Sequence, residues 1–397
     1  MSAATRHPPH LLMLVAVSAI NPLALNIFMP SMPGMVHFFN TDYATVQLTL
    51  TLFLASIALS QLFIGPLSDR FGRRPVVVYG TALFLVASVV CIYATSIEML
   101  IAGRILQAFG GCTGMVMGRA IIRDMHGLDK SASMMGYVTM AMVVAPMMAP
   151  SMGGYLDGQY GWQASFVLVF VYAAVVLAFG WFLIGETHKG PFRAESPVRM
   201  LISYGTLLAT LKFLRPALQI SFSTGAFFAF LGGAPYVTME LLGGTPVAYG
   251  IHFMIASICY MIGNFVTGRM SESWGAERLV GIGLCFGLAG GLWLLANYAM
   301  DTLSILTLFG GMGFIAMGNG MSLPSGTAAA ISADPTRVGA AAGLSGSMQL
   351  TAGAIASFLS GSFLSGSDSA LPLIILMFSC AVLAIIVQTG GRWLERQ

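Results

Sequence analysis

The sequence predicts an all-α integral membrane protein of twelve transmembrane helices arranged as two pseudo-symmetric six-helix bundles, and three observations carry that prediction. The chain is 57% hydrophobic, only 8% charged and has a mean hydropathy of +0.83, which leaves too little polar surface to clothe a soluble globule of 397 residues. Its apolar runs reach about 20 residues, the length a helix needs to cross a bilayer. A motif from the first quarter of the chain returns in altered form 203 residues later, close to half of the total. Internal symmetry on that scale is expected of two parallel six-helix halves.

The spans fall in order near residues 11–32, 46–67, 76–94, 97–118, 131–153 and 163–184, then 217–239, 249–268, 279–298, 303–323, 338–363 and 371–390. The longest polar interval, 185–216, carries Lys189, Arg193, Arg199, Lys212 and Arg215. It separates an N-terminal bundle, residues 1–184, from a C-terminal bundle, residues 217–397, and within it 203–214 reads as a short amphipathic helix lying on the membrane. Basic residues test the register, because cytoplasmic loops hold the excess of Lys and Arg. With both termini cytoplasmic, 17 of the 18 Lys and Arg residues fall in the inner segments, and the remaining one is Arg104. The outer loops carry lone acids: Asp42, Glu98, Asp157, Glu240, Asp301 and Asp368.

Composition also excludes several functions. The net charge of +3 is topological rather than a nucleic-acid footprint, since its bases sit in short loops. Cys91, Cys112, Cys259, Cys285 and Cys380 lie in apolar runs, as small hydrophobes rather than a disulfide or zinc framework. No metal-ligand cluster, nucleophile with an adjacent base or phosphate-binding glycine loop marks an enzyme, and no cofactor is expected. The first apolar run lacks a small-residue cleavage site and reads as a retained helix.

The segment Gly65-Pro66-Leu67-Ser68-Asp69-Arg70-Phe71-Gly72-Arg73-Arg74-Pro75 concentrates charge between two spans. It reads as a tight turn in which Gly65 and Gly72 permit close approach and left-handed dihedrals, Arg70, Arg73 and Arg74 face the cytoplasm, and Asp69 is an ion-pair centre. Gly268, Ser271, Glu272 and Gly275 repeat Gly65, Ser68, Asp69 and Gly72. Arg119, Arg123 and Asp124 follow the fourth span and complete a charge network whose pairing changes with conformation. Small residues at intervals of four (Gly110, Gly114 and Gly118; Gly283, Gly287 and Gly291; Gly339, Gly343, Ser347 and Thr351) predict close helix contacts. Pro146 and Pro150 kink the fifth span ahead of Gly153 and Gly154.

Arg104 is the one charged side chain well inside a span, and such a residue is a functional candidate because its burial is costly. Asn26 lies at a similar depth and is expected to face it across a central pocket. Tyr137, Met140, Phe227, Phe230, Tyr260, Asn264 and Asn319 supply the aromatic, Met and neutral polar lining expected of a pocket between the halves. The 27 methionines suit a site that repacks around ligands of different shape. His252, the lone intramembrane histidine, is the proton-coupling candidate, because imidazole titrates in the useful range.

The pattern G-x-L-x-D-R-x-G-R-R at 65–74 resembles the signature between the second and third helices of the major facilitator superfamily, and Arg104-Ile105-Leu106-Gln107-Ala108-Phe109-Gly110 resembles its fourth-helix motif. Gly136 with Ala145-Pro146 through Gly153-Gly154 is similar to the antiporter motif of drug:proton exporters, with Ala145 and Ala149 where that motif has Gly. Residues 26–33, 119–124, 161–166, Glu186-Thr187 and 234–237 resemble the bicyclomycin-resistance and amphenicol-exporter family. The resemblance implies a monomeric antiporter of the bacterial inner membrane that expels small lipophilic drugs, neutral or anionic beside Arg104, with the proton gradient as energy source. Asn26 stands where relatives carry an Asp, which leaves proton coupling without its usual carboxylate. The alternatives are a substrate-specific importer and a proton-independent facilitator on the same fold.

Overall fold

A computed structural model describes residues 11–125, 148–187, 197–334 and 337–395, and in these every regular element is helical. The helices are α1 (Leu11–Asn26), α2 (Met32–Phe39), α3 (Tyr43–Phe71), α4 (Arg73–Ile92), α5 (Ile97–Met125), α6 (148–160), α7 (Gln163–Leu183) and α8 (Pro197–Leu208). They continue with α9 (Leu211–Tyr236), α10 (Pro246–Trp274), α11 (Ala276–Ala299), α12 (Ile305–Ile331), α13 (Val338–Leu364) and α14 (Leu371–Glu395). Among the described residues, ten helical segments are long and apolar enough to cross a membrane. Helix is the outcome because hydrocarbon offers the backbone no partner, so each segment must satisfy its own N–H and C=O groups.

The first span is broken. Pro30 lacks the N–H that would bond back to Asn26, so α1 stops there, a short 3-10 turn follows at Met29–Ser31, and α2 resumes the path. The segment 65–75, expected as a tight turn, is almost wholly helical. The second span runs on through Phe71 and the third begins at Arg73, leaving Gly72 as the whole turn, at φ 97°. Gly65 sits inside α3 with open space around it, so the close approach expected of it is absent. The interfacial helix lies earlier than the expected 203–214, because Pro197 opens α8 and the extended backbone of Thr210 separates it from α9. Leu207 ties α8 to Phe213, Ala217, Ala330 and Ala341, at the ends of α9, α12 and α13.

Packing falls into two sets. In the first, α5 lies against α1, α3 and α4, with α7 against α1 and α4; in the second, α9 lies against α12, α13 and α14, with α12 also on α10 and α11. The main seam between them is α3 against α13. The stripe on α5 works as expected, by removing side chains where helices meet, and so do Gly283 and Gly291 on α11, whereas Gly287 between them has open space around it. A Cβ on Gly110 would lie 2.6 Å from the Gly80 carbonyl oxygen and the Phe84 nitrogen, and one on Gly283 would lie 2.5 Å from the Gly318 carbonyl oxygen. The stripe on α13 differs, since Gly343 meets only the Tyr204 hydroxyl at 3.9 Å, while Gly353 packs under Phe228.

Replacing Gly110 by Val wedges a branched side chain between the α4 and α5 backbones, an overpacking cost of roughly 1–3 kcal/mol. The expected result is a lower melting temperature and yield of purified protein, whereas Gly65→Val, in open space, should leave both unchanged.

Candidate functional site

A cavity of about 260 Å³ lies between the two sets, walled by α1, α3 and α5 on one side and by α9, α10, α12 and α13 on the other. Asn26, Phe227, Tyr260 and Asn319 of the predicted lining are on its wall. Reasoning from sequence missed Asn21, Thr224, Phe228, Phe253 and Ser257, which line it too. One signal would have found several of them. Asn21 and Thr224, Leu25 and Phe228, and Ile57 and Tyr260 are each 203 residues apart, the spacing of the two motif copies, so the repeat maps one wall onto the other. The cavity wall contains no Asp, Glu, Lys, Arg or His among the described residues.

Arg104 is not on this wall. Its side chain is fully buried within the first set, with its guanidinium carbon 3.9 Å from the Phe53 ring centre, 4.2 Å from Phe28 and 5.8 Å from Phe166. Nη1 donates to the Ala24 carbonyl at 3.1 Å and to Gln107 Oε1 at 2.8 Å, and Gln107 Nε2 passes the chain on to Ser88 Oγ at 2.8 Å. Nε and Nη2 have no hydrogen-bond partner among the described residues. The expected pairing across the pocket with Asn26 is replaced by a different geometry. The cation sits at the C-terminal end of α1, where the break frees carbonyls and the helix dipole is negative, and aromatic faces supply the rest of its solvation. Asn26 instead donates from Nδ2 to the Pro22 carbonyl of its own helix at 2.8 Å.

Three other candidates turn away from the cavity. Phe230 is fully buried edge-on against Phe309, with ring centres 5.2 Å apart. Asn264 folds back to the Tyr260 carbonyl at 2.8 Å. His252 bonds through Nδ1 to the Ala248 carbonyl at 2.8 Å and lies beside Phe309, which occupies it within its own set. Tyr137, Met140 and Pro146 lie outside the described residues.

At the basic end, Arg73 is buried and forms an ion pair from Nε to Asp124 Oδ2 at 3.0 Å, while its Nη1 also donates to Ser68 Oγ. Glu186, beyond the sixth span, accepts the backbone N–H groups of Arg73 at 3.0 Å and Arg74 at 3.2 Å. It therefore supplies the anion at the N-terminus of α4, a role that sequence spacing gave no means of assigning. Gly72 leaves the space that this carboxylate fills. Arg74 donates to the Trp181 carbonyl at 3.0 Å, and Arg70 is exposed over the Phe71 ring. The side chains of Asp69, Arg119 and Arg123 are outside the described set.

The opposite end is sealed. Tyr43 donates to the Gly232 carbonyl at 2.6 Å, Gln47 to Ser357 Oγ at 2.5 Å, Thr51 to the same hydroxyl at 3.4 Å, and Ser151 to the Gly250 carbonyl at 2.7 Å. Each bond joins one set to the other. Behind them Pro150, Gly153 and Gly154 wedge α6 between α1 and α10: a Cβ on Gly153 would overlap the Ile27 carbonyl, one on Gly154 the Pro246 carbonyl, and one on Gly250 would lie 2.7 Å from the Pro150 carbonyl.

Two helical sets enclosing a cavity, with bonds between them at one end, are the architecture of a membrane transport protein. The Major Facilitator Superfamily model matches residues 14–243, more than half of the chain, and the chain belongs to that superfamily. It is 28% identical over 379 residues to the bicyclomycin resistance protein homolog of Haemophilus influenzae, covering 95% of this chain and 94% of the relative. It is 28% identical over 340 residues to multidrug resistance protein D of Escherichia coli, covering 85% of each. In fold it is similar to a bacterial homolog of the human lysosomal transporter Spinster solved in an inward-facing and occupied conformation, with a TM-score of 0.74, 17% identity and coverage of 97% of this chain and 96% of that one.

Tyr43→Phe combined with Gln47→Leu removes two bonds from the seal, each contributing about 0.5–1.5 kcal/mol. The expected outcome is a shift toward a state open at this end, read as severalfold faster labelling of a Ser257→Cys cavity probe by a bulky impermeant maleimide. Unchanged labelling would assign these bonds a static role.

Proposed function

We propose that the protein is a drug exporter of the bacterial inner membrane, with both termini cytoplasmic, that carries small neutral lipophilic molecules outward by alternating access and exchanges them for protons. The observation that carries this reading is the neutral cavity between two sets whose side-chain bonds concentrate at the end opposite the basic loops. Rocking the sets about the α3–α13 seam breaks the Tyr43, Gln47 and Ser151 bonds and opens the cavity outward. The Arg73–Asp124–Glu186 cluster holds the cytoplasmic ends of the first set as one body. The names of the relatives support a drug as cargo, and the first set (1–184) and second set (217–397) are the moving units.

Neutrality of the cavity is a specificity statement. A permanent cation or anion entering a low-dielectric space without a counter-charge loses its hydration uncompensated. Arg104 does not alter this, because Phe28, Phe53 and Phe166 enclose it. The absence of ionisable lining among the described residues favours a second reading, proton-independent facilitation, which differs in one measurable respect: cargo would only equilibrate.

The test is export from proteoliposomes of matched neutral, cationic and anionic dyes, with and without a pH gradient and a protonophore. Neutral compounds should be exported uphill and only with the gradient; equilibration that ignores the gradient establishes facilitation, and best transport of quaternary cations removes the neutral-cargo reading. Arg104→Met should leave the charge preference of surviving protein unchanged, and Asn26→Asp, which places a carboxyl on the cavity wall, should admit cations and steepen the pH dependence.

A further inference from the structure

A groove of about 560 Å³ opens on the side of the second set, away from the cavity between the sets. Gly281, Ile282, Cys285 and Ala289 of α11 form its floor, and Phe286 and Phe314, stacked with ring centres 6.4 Å apart, wall it toward α12. Cys285 and Ala289 are exposed on a helix long and apolar enough to cross a bilayer, so the groove faces lipid. Its floor is low because Gly281 has no side chain, and a Cβ added there would meet nothing within 4 Å. From Arg278, at the mouth, to Ala289 the helix rises about 16 Å at 1.5 Å per residue. That matches the hydrocarbon depth of one leaflet, roughly 15 Å.

The mouth carries an uncompensated positive charge. Glu277 and Arg278 both stand there, but Glu277 pairs with Arg215 at 3.5 Å, whereas Arg278 is exposed and has no ion pair or hydrogen bond among the described residues. The repeat shows what is missing beside it. In the first motif copy the chain supplies its own anion, Glu186, in the space that Gly72 leaves; in the second, Gly275 turns at φ 79° and nothing among the described residues lies within 4 Å of where its Cβ would be. Thr389, at the 203-residue spacing from Glu186, donates instead to the Ile385 carbonyl of its own helix at 2.8 Å.

We infer that this groove holds one anionic glycerophospholipid from the leaflet at the basic end, with an acyl chain along Gly281, Cys285 and Ala289 and the phosphate against Arg278. The chain fits an apolar channel one leaflet deep, and the headgroup brings the negative charge that Arg278 lacks. A zwitterionic headgroup fits less well, because its ammonium needs a carboxylate and Glu277 is already held by Arg215. This site does not depend on what the central cavity carries.

The full chain, purified in mild detergent, is mixed with equal amounts of phosphatidylglycerol, phosphatidylethanolamine and phosphatidylcholine of one acyl composition and read by native mass spectrometry, which reports both retained lipids and oligomeric state. The wild type should retain one phosphatidylglycerol about fivefold over either zwitterionic lipid, the preference expected from one arginine near a membrane surface. Arg278→Gln should bring that ratio to about one. Gly281→Leu, whose side chain enters open space and leaves the helix contacts alone, should lower retention of all three lipids severalfold. Arg269→Gln removes an exposed base that is not on the groove and should change nothing. Equal retention of the three lipids, a preference for phosphatidylethanolamine, a preference that survives Arg278→Gln or is lost equally in Arg269→Gln, or retention indifferent to Gly281→Leu overturns the proposal. So does a dimer that Gly281→Leu dissolves, which gives the groove to a second copy of the chain.

Discussion

The structure depends on backbone-to-backbone contact between helices. Inside a bilayer the solvent is as apolar as leucine, so burying apolar side chains does not drive helices together; shape and dispersion do, and close approach requires positions without side chains. Gly110 against the Gly80 carbonyl and Gly283 against the Gly318 carbonyl set the geometry within each helical set. Gly154 against Pro246 and Gly250 against Pro150 do the same between sets. The sets are thus joined by close backbone contacts, a few hydrogen bonds and one apolar core that both contribute to.

The break in the first span follows from the same scarcity of partners. Pro30 ends α1 at Asn26 and frees carbonyls at membrane depth, where water cannot reach them. Arg104 from α5 takes the Ala24 carbonyl and Ser165 from α7 the Ile27 carbonyl at 3.4 Å, so the broken helix is repaired by its neighbours. The cost of an internal cation is offset by the aromatic faces of Phe28, Phe53 and Phe166, each such contact contributing about 0.5–2 kcal/mol. An arginine that looks in sequence like a pocket charge is therefore a fixed support, and the pocket beside it has no charged side chain among the described residues.

Much of this was legible in the residue pattern. Long apolar runs, the asymmetry of Lys and Arg and the repeat at 203 residues specified a helical membrane protein in two halves, because hydrocarbon thickness and backbone satisfaction leave few other solutions. Gly72 was legible as the turn, but the burial of Arg73 against Asp124 was not, since the pattern set Arg73 among the bases facing the cytoplasm and Asp124 with Asp69, Arg119 and Arg123. The stripes on α5 and α11 were legible as contact faces, since small residues at intervals of four share one side of a helix.

The tertiary structure alone decided which face of each helix meets the cavity. Within a span nearly every residue is apolar, so the contrast between a polar and an apolar side that orients a soluble helix is missing, and rotation about the helix axis is set by neighbours. That is why Phe227 and Tyr260 reach the cavity while Phe230 and Asn264, a few residues away, do not. It is also why Glu186 could not be assigned to the α4 N-terminus, nor Gln47 to Ser357, partners 310 residues apart. The sequence by itself determined the material and length of the helices and their grouping into two halves through the physics of the bilayer; their rotation and mutual contacts, and with them the cavity between the sets, arose only when glycine against carbonyl fixed one helix against the next.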